Sequence, residues 1–452
     1  MKSNLLPNGV AAGIALIISG GSVARGEEIP AGVTAMGPSP EEGLAIDGWI
    51  VYPSLFIGSV FNDNIYSTAT DRRSAVGVRV RPSVQAGLDN GLHKTTAYVS
   101  ADAQFYPGLG SQFRLSPTPT TDVDPTNVAG RAGINHIWSP FNDLNVYLSA
   151  DYTRQSGLFG SNFGATAPNV TVPTGYTVSA SQQFSNQITG SLAVEKKIAD
   201  WFVRATTGVQ YVSYDSRPIA SLAASGDAQN GLSYRASLRG GLWLSPMFYG
   251  FVEPTLDLRR YESSISDTNG YRIVGGFGSE LISLFRGEVY GGYQSQSSLQ
   301  NFSGGEVAKP AFGARLHYYP TPYLTLTATV DQMLAAAAAP TALAGSLGQW
   351  SPATLNTQSK LQIDYAISPF WTAYARGGYG ETRWTNSPRA DTIWAAGVGV
   401  SYTFWRNIAI SLDYQLQKTS SNVSGVFGAI GYSTASWGFA QNVVSAGVTY
   451  RY

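Results

Sequence analysis

The chain has 452 residues, with 29 basic and 29 acidic side chains, a formal net charge of zero and no cysteine. The missing cysteines exclude disulfide frameworks, thiolate metal sites, thiol nucleophiles and a lipoprotein lipid anchor, and the neutral balance gives no indication of a nucleic-acid partner. Charged residues make up only 13%, while the mean hydropathy of −0.06 is too polar for a bundle of membrane helices and matches strands of alternating polarity.

The N-terminal segment has the three parts of an export signal. Lys2 provides a positive charge, Val10 to Ile18 form a short apolar run, and Ser22-Val23-Ala24 is a small-x-small cleavage site. We therefore predict a signal peptide over residues 1–24, a short periplasmic linker over residues 25–45 and an outer-membrane β-barrel over residues 46–452. No later stretch of about 18 apolar residues could cross a bilayer as a helix.

From residue 46 onward, short turns alternate with long loops rich in Gly, Ser, Asn and Thr. Eight turns and nine loops give 18 strands, an even number that places both termini on the periplasmic side. The predicted fold class is all-β, a transmembrane antiparallel up-and-down β-barrel with strands of about 10 residues. Pro and Asn-Gly favour the tight turns, and an aromatic in five of them is expected at one membrane interface. The turns lie at Asp89–Gly91, Ser139–Phe141, Ala199–Trp201, Ser245–Met247, Ser283–Phe285, Pro320–Pro322, Ser368–Phe370 and Trp405–Asn407.

Individual strands show two distinct faces. Residues 408–417 read Ile-Ala-Ile-Ser-Leu-Asp-Tyr-Gln-Leu-Gln, and residues 324–331 read Leu-Thr-Leu-Thr-Ala-Thr-Val-Asp. Large apolar side chains thus take one face of the strand and small or polar side chains the other. A soluble sandwich has the same alternation, but the export signal and the unequal connections favour a barrel with its polar face toward a lumen.

The first hairpin carries the most specific motif, Phe61-Asn62-Asp63-Asn64-Ile65-Tyr66. It is followed by Val80-Arg81-Pro82-Ser83-Val84 and by Ala101-Asp102-Ala103-Gln104-Phe105-Tyr106. In these motifs, and above all at Phe61, Asp63, Asn64 and Tyr66, the chain resembles the putative β-barrel porin 2 family of Gram-negative bacteria. The resemblance implies a barrel in the cell outer membrane, and some members look like partners of exopolysaccharide export systems. The Asn-Asp-Asn run is also good loop chemistry without any ligand, so structural use, Ca²⁺ binding and sugar contact all stay open.

The three histidines, His93, His136 and His317, lie close to short turns. An active site on the external surface would need Ser, His and an acid to converge there, whereas the predicted topology puts these histidines near the periplasmic side. The sequence also has no Gly-x-Ser-x-Gly elbow, His-Glu-x-x-His motif or phosphate loop. We therefore expect no enzymatic activity, no cofactor and no metal site, with the histidines as ordinary lumen or interface residues.

Arginines and aspartates recur on the polar faces of the strands. One interpretation is that a basic arc of the wall faces an acidic arc. It predicts a weakly anion-selective pore, whose selectivity shifts toward cations when Arg235, Arg239 and Arg272 are replaced by Ser together. The other is a set of internal ion pairs that brace the wall. The predicted pore-lining residues are Arg204, Arg235, Arg239, Arg259, Arg272, Arg286, Arg315, Arg376, Asp102, Asp151, Asp331, Asp364 and Asp413.

The last strand alternates so that Val444, Val448, Tyr450 and Tyr452 share one face. Outer-membrane barrels commonly end on an aromatic strand of this kind, because the last strand must pair with the first and leave no edge in lipid. We expect these four residues to form a signal for the barrel-assembly machinery, and we expect outer-membrane lipid and lipopolysaccharide as further partners.

Two functions fit this sequence. The first is a passive pore or export conduit for polar solutes, since a barrel of this size encloses an aqueous channel; periplasmic polysaccharide-export components would be partners of the conduit version. The second is a structural or adhesive barrel whose external loops, Ser156–Tyr176 and Ser420–Trp437, bind a surface polymer or partner.

Overall fold

A computed structural model of the chain describes residues 43–65, 72–107, 126–157, 183–214, 230–262, 267–282, 284–299, 305–336, 353–385, 390–422 and 438–452. Nineteen β-strands in these ranges form a single sheet. They are β1 Leu44–Ile46, β2 Trp49–Asn62, β3 Ala75–Asp89, β4 His93–Phe105, β5 Asn127–Phe141, β6 Leu144–Gly157, β7 Gln183–Ile198, β8 Trp201–Tyr214, β9 Gly231–Trp243, β10 Phe248–Tyr261, β11 Thr268–Ile282, β12 Phe285–Ser298, β13 Glu306–Thr321, β14 Leu324–Ala336, β15 Ala353–Ala366, β16 Trp371–Trp384, β17 Ala390–Trp405, β18 Ile408–Ser421 and β19 Ala440–Arg451.

The sheet closes on itself as an antiparallel meander. Each strand from β2 to β18 pairs with the next one along the chain, and β19 pairs back with β2, from Val443 opposite Asn62 to Arg451 opposite Ser54. The short β1 adds no wall of its own, so the barrel has the predicted 18 strands. The barrel strands run for 12 to 16 residues, longer than the predicted ten, because the pairing continues past the length that a tilted strand needs to cross the hydrocarbon.

The short strand β1 extends the junction between the last and the first barrel strands. β1 pairs with β2 along Trp49–Val51, just beyond the part of β2 that β19 occupies. The backbone N–H of Tyr452, just after β19, donates to Pro53 O of β2 at 3.2 Å. β19 and β1 therefore pair with successive parts of the same edge of β2, and β1 continues the line of β19. The turn between β1 and β2 has φ of 47° at Asp47 and 83° at Gly48, the left-handed backbone that two-residue hairpins require.

Alternation along the strands separates an apolar outer face from a polar inner face. In β3, Val76 and Val78 are 64% and 45% exposed, whereas Gly77 between them is buried and Arg79 after them is only 4% exposed. Large apolar side chains left exposed along every second position are what a lipid-facing surface requires, since lipid rather than protein covers them. Within the described ranges, no helix is long and apolar enough to cross a membrane.

Aromatic side chains at the short turns are exposed and lie at one end of the barrel. Tyr and Trp rings favour the boundary between hydrocarbon and water, because one end of the ring is apolar and the other polar. The five aromatic turn residues of the sequence prediction are all on this rim. Their exposed fractions are 65% for Phe141, 58% for Trp201, 43% for Phe285, 58% for Phe370 and 70% for Trp405.

Several predictions concern residues outside the described ranges. They are the signal peptide over residues 1–24, nearly all of the linker over residues 25–45, Tyr66 of the first motif, and most of the loops Ser156–Tyr176 and Ser420–Trp437.

Candidate functional site on the inner face of the barrel

Contacts between strands that are not neighbours identify the inner face. Strands three apart are separated by roughly 14 Å along the sheet, and only on the concave side of a closed sheet do their side chains converge. Arg239 of β9 nevertheless bonds Glu288 of β12 at 2.9 Å, and Arg272 of β11 lies 3.6 Å from Asp331 of β14. The polar face of the strands is therefore the inner wall of the barrel.

Four tyrosines lie across a glycine of the next strand and reach a carboxylate on the strand after it. Tyr374 of β16 is opposite Gly399 of β17, which is opposite Asp413 of β18. The Tyr374 hydroxyl donates to Asp413 Oδ1 at 2.5 Å, and its ring occupies the space that a side chain at position 399 would fill. We call this arrangement a tyrosine joint; only glycine lets the ring approach the intervening backbone so closely.

The other three joints repeat the same register. In each, the tyrosine, the glycine and the acid are directly opposite one another on three consecutive strands, and a Cβ on the glycine would overlap the tyrosine ring. The hydroxyl–carboxylate distances include 2.5 Å for Tyr290 to Asp331 and 3.2 Å for Tyr249 to Glu288. The three are Tyr98–Gly133–Asp151, Tyr290–Gly313–Asp331 and Tyr249–Gly278–Glu288.

Arginines complete these joints. The guanidinium of Arg376 lies 4.4 Å from the centre of the Tyr374 ring, that of Arg272 5.0 Å from Tyr290, and that of Arg131 5.3 Å from Tyr98. A cation over a ring face is attracted by the ring quadrupole. In two of these joints the same arginine also pairs with the acid that the hydroxyl contacts, Arg131 with Asp151 and Arg272 with Asp331. In the fourth joint the acid, Glu288, pairs with Arg239, whose guanidinium lies over the Phe251 ring.

The wall from β9 to β14, which we call the central wall, concentrates these interactions. Arg239 bridges Glu253 of β10 and Glu288 of β12, and its guanidinium lies 4.0 Å over the Phe251 ring. Asp257 accepts from both Arg235 and Arg259 at 2.8 Å. Phe202, Phe251, Val274 and Ala311 are buried beside them, with Trp243, Tyr249 and Tyr290 packed around. Charge and apolar packing are therefore combined in one rigid patch.

The predicted pore-lining residues occupy this inner face, but their signs do not separate into two arcs. Arg79 pairs with Asp102 and Arg131 with Asp151 on the side predicted to be acidic, while Glu253, Asp257 and Glu288 lie among the arginines of the other side. The segregation is wrong because each charge finds its partner on a nearby strand. Of the remaining predicted residues, Arg204 is 3.7 Å from Glu195, Arg286 is 3.9 Å from Glu280, Asp364 accepts from Gln362 at 2.5 Å, and Arg315 is opposite Glu288.

Sequence reasoning missed Arg79, Arg81, Arg131 and the four joint tyrosines. Tyrosines in a barrel sequence read as membrane-interface residues, and nothing local distinguishes those that point inward. The available signal is a strand glycine on the polar face, since a glycine there marks a place where another group approaches the backbone. Finding its tyrosine and acid would also require the register of three strands, which loop-separated segments do not reveal.

The Asn-Asp-Asn motif joins the first barrel strand to the last. Asn64 is fully buried, and its Nδ2 donates to Ala440 O at 2.9 Å while its backbone N–H donates to Asn62 Oδ1 at 2.9 Å. Asp63 accepts from the backbone N–H and the side chain of Asn442, both at 2.6 Å. We call the junction of β19 with β2, together with this motif, the closure seam. The motif ties the two strands at the loop end of the barrel, which is a structural use of these residues.

An apolar cluster lies beside the motif. Val60, Ile65 and Tyr106 are buried there, with Ala75 and Val443 packed against them. Val443 was the single large apolar residue on the polar face of the last strand, and this cluster explains it. Phe61 points outward instead and is 41% exposed.

The assembly-signal residues lie on the outer face of β19. Val448, Tyr450 and Tyr452 are 45%, 48% and 53% exposed, and Val444 is half-buried. At the same rim, Asn407 Nδ2 donates to Arg451 O at 2.7 Å. The geometry is that of an outward aromatic strand end, and recognition by the assembly machinery remains a prediction.

The histidines contact one another and threonine hydroxyls. His93 Nδ1 and His136 Nε2 are 3.3 Å apart, Thr95 Oγ1 is 2.8 Å from His136 Nδ1, and His317 Nδ1 is 3.2 Å from Thr327 Oγ1. The described part of the chain contains no group of three or more His, Asp or Glu side chains that could hold a metal ion.

Comparison with known proteins gives a family. A family model described as putative beta-barrel porin 2 matches residues 38–451. No curated protein matches the chain. Similar solved structures include the siderophore receptor PirA from Pseudomonas aeruginosa, at 10% identity over 89% of this chain and 80% of that one with a TM-score of 0.38. They also include the FrpB iron transporter from Neisseria meningitidis, at 9% identity over 91% and 82% with a TM-score of 0.40, and the anion-selective porin from Comamonas acidovorans, at 8% identity over 89% and 99% with a TM-score of 0.35.

Proposed function

Because the chain belongs to the putative β-barrel porin 2 family, we propose that it is a passive pore for polar solutes in the outer membrane of a Gram-negative bacterium. The observation that carries the proposal is the inner wall itself, which is lined by hydrogen-bonded polar and charged side chains around a closed 18-stranded barrel. A wall of this kind suits water and polar solutes, whereas a barrel that served only as a scaffold would not need so many internal charges.

The charges of this wall support a pore of modest selectivity. The arginines that have carboxylates nearby contribute little net field, so the solute meets alternating charges rather than a single-sign ring. Such a wall favours water and polyhydroxyl solutes, which exchange hydrogen bonds with both signs. A conduit for an exported polysaccharide is a finer version of this proposal, and periplasmic export components would then be its partners.

The orientation belongs to the proposal too. We place the short turns and both termini in the periplasm and the long connections outside the cell, as is usual for such barrels. We also propose that the protein has no enzymatic activity, since its inner-face side chains are engaged in joints and ion pairs rather than arranged around a nucleophile.

Planar-bilayer recording of the purified protein tests the pore directly. We expect stable unitary current steps in potassium chloride and slower passage of larger polyhydroxyl solutes in a liposome-swelling assay. A protein that folds and inserts but stays electrically silent would contradict the pore and favour the second function, a structural or adhesive barrel that binds a surface polymer. Gene deletions would separate the export version from a general pore. Only in the export version would deleting this gene and deleting genes encoded nearby cause the same loss of secreted polymer.

A further inference from the structure

One lumenal arginine differs in its partners from seven others. Arg79, Arg131, Arg204, Arg235, Arg239, Arg259 and Arg272 each have a carboxylate oxygen within 4.0 Å. Arg81, on the inner face of β3 beside the closure seam, has no such carboxylate among the described residues. Its Nε is buried without a hydrogen-bond partner, as is one guanidinium nitrogen in each of Arg204, Arg239 and Arg272, so the missing carboxylate is what sets Arg81 apart. A guanidinium has five N–H donors that ordinarily find acceptors.

The Phe56 ring lies between the Arg81 guanidinium and the backbone of the barrel wall. It lies 4.1 Å from the centre of the Phe56 ring, and Phe56 is only 3% exposed. The ring rests on the backbone of Gly58 and Gly447, where a Cβ would overlap it. The glycines, the ring and the guanidinium thus form three layers from the wall inward, and stacking holds the planar fork without using any of its donors.

The nearby acids are already engaged. Arg79 occupies both oxygens of Asp102 through its Nε and Nη2. Asp413 accepts from the Tyr374 hydroxyl and is 3% exposed. Burial and the neighbouring Arg79 act against the charge of Arg81, and both carboxylates are near enough to offset part of this without saturating its donors. Because the surrounding charge is nearly balanced, attraction for a ligand would come from hydrogen-bond donors more than from net charge.

We propose that Arg81 is a contact point for an oxyanion group, a carboxylate or phosphate, carried by a solute in the lumen. The planar fork of a guanidinium matches the geometry of these oxyanions and has no special fit to a spherical halide. The near-neutral setting makes the contact weak, which suits transit, since a conducting pore must bind its solute loosely enough to release it. This inference rests on the proposed pore for its biological role, but the binding itself does not require conduction.

Arginine-directed labelling with phenylglyoxal tests the binding without any current. The protein in detergent micelles is labelled with and without potassium phosphate or potassium glucuronate at matched ionic strength, and modified arginines are located by peptide mass spectrometry. We expect Arg81 to be labelled, Arg79 on the same strand to stay unlabelled, and either oxyanion to protect Arg81 where chloride does not. An Arg81 that is not labelled, or that oxyanions fail to protect, would overturn the proposal.

Variants then connect the site to the pore. Phosphate or glucuronate held at Arg81 should reduce the chloride current of the parent protein. Arg81→Gln should abolish this block, and Arg81→Lys should also lose it while keeping the ratio of chloride to potassium passage, because lysine retains the charge without the fork. Arg235→Gln, in which an arginine paired with Asp257 loses the same charge, is the matched control and should keep the block. Equal effects of the two neutral variants would show that general lumen charge, not this site, acts on the oxyanion. A protein that protects Arg81 but never conducts would refute the pore and leave the site intact.

Discussion

The closure seam and the central wall hold the same sheet together by different means. At the seam, β19 and β2 pair only from residue 443 to residue 451, and amide side chains of the Asn-Asp-Asn motif extend the junction by bonding the backbone of the last strand. In the central wall, long paired strands carry tyrosine joints and bridging arginines. The seam is strengthened along its edge, while the wall is strengthened across its inner face.

The difference follows from how each junction forms. Neighbouring strands of this meander are joined by a short turn or by one loop, so their pairing closes far smaller loops than the seam does and costs less chain entropy. β2 and β19 are separated by nearly the whole chain, and their pairing has no connecting turn to fix its register. Specific side-chain bonds at the seam supply that register, since a slip of one residue would turn every side chain to the wrong face.

The largest effect is expected at the centre of the wall, from Arg239→Gln. This change leaves Glu253 and Glu288 facing each other without their shared cation, and the side chains of the three residues are only 10%, 18% and 9% exposed. Removing one partner of a buried pair typically costs about 3–5 kcal/mol. We expect a loss of that order in the urea-unfolding free energy of the protein refolded into lipid vesicles.

Two further variants give that measurement its controls. Arg383→Gln removes an arginine whose side chain is 62% exposed beside Glu381, and it should change the unfolding free energy by less than about 1 kcal/mol. Adding Glu253→Gln and Glu288→Gln to Arg239→Gln should restore part of the loss. If the single variant is as stable as the parent, lumen water screens these charges and the wall is not braced by them.

At the seam, Asn64→Ala should cost about 1–3 kcal/mol, because it removes the hydrogen bond that the fully buried Asn64 amide donates to the Ala440 carbonyl. On a gel, the folded barrel and the heat-unfolded chain run as separate bands, and the temperature at which one band replaces the other reports this loss. Asn422→Ala is the control, since the exposed Asn422 makes a similar bond to Ala390 N at 2.8 Å at another loop end. A chelator that lowered the transition of the parent protein would instead indicate a bound cation at the motif.

A smaller effect is expected from the glycine of a tyrosine joint. Gly399→Ala places a Cβ inside the Tyr374 ring and should displace its hydroxyl from Asp413, at a cost of about 1–3 kcal/mol. Gly377→Ala on the neighbouring strand is the control, because nothing lies within 4 Å of a Cβ there. Equal unfolding free energies for the two variants would mean that the ring moves aside freely and that the joints do not stiffen the wall.

The contrast between the two regions also shows how far the sequence could predict this structure. Period-two alternation and turn residues predicted the strand number, because both are local properties of segments such as residues 408–417. The same alternation put Arg239, Asp331 and Asp413 on the polar face. Their partners could not be predicted, since Tyr290 reaches Asp331 across β13 only in one register, and register depends on the tilt and closure of the whole barrel.

The smallest effect is expected at the rim, where an ion pair faces water. Asp143, in the turn between β5 and β6, accepts from Lys196 Nζ, and this hydrogen bond holds the pKa of the Asp143 carboxyl below its usual range. A carboxyl with a lowered folded-state pKa stabilises the protein above its unfolded pKa of about 3.9, and the contribution disappears as the pH falls through the folded pKa.

Asp143→Asn should therefore lower the unfolding free energy slightly near neutral pH, and the difference from the parent should vanish in acid. The side chains of Asp143 and Lys196 are 49% and 44% exposed, so solvent and salt screen the pair and keep its effect far below that of Arg239. Asp89→Asn is the matched control, because Asp89 is the last residue of β3 and lies 3.9 Å from the exposed Lys94, and near neutral pH it should change the unfolding free energy by less than Asp143→Asn does. A gap between parent and Asp143→Asn that widens on acidification would contradict the sign of this shift. It would also show that rim charges affect the stability of the barrel by a means found neither at the seam nor in the central wall.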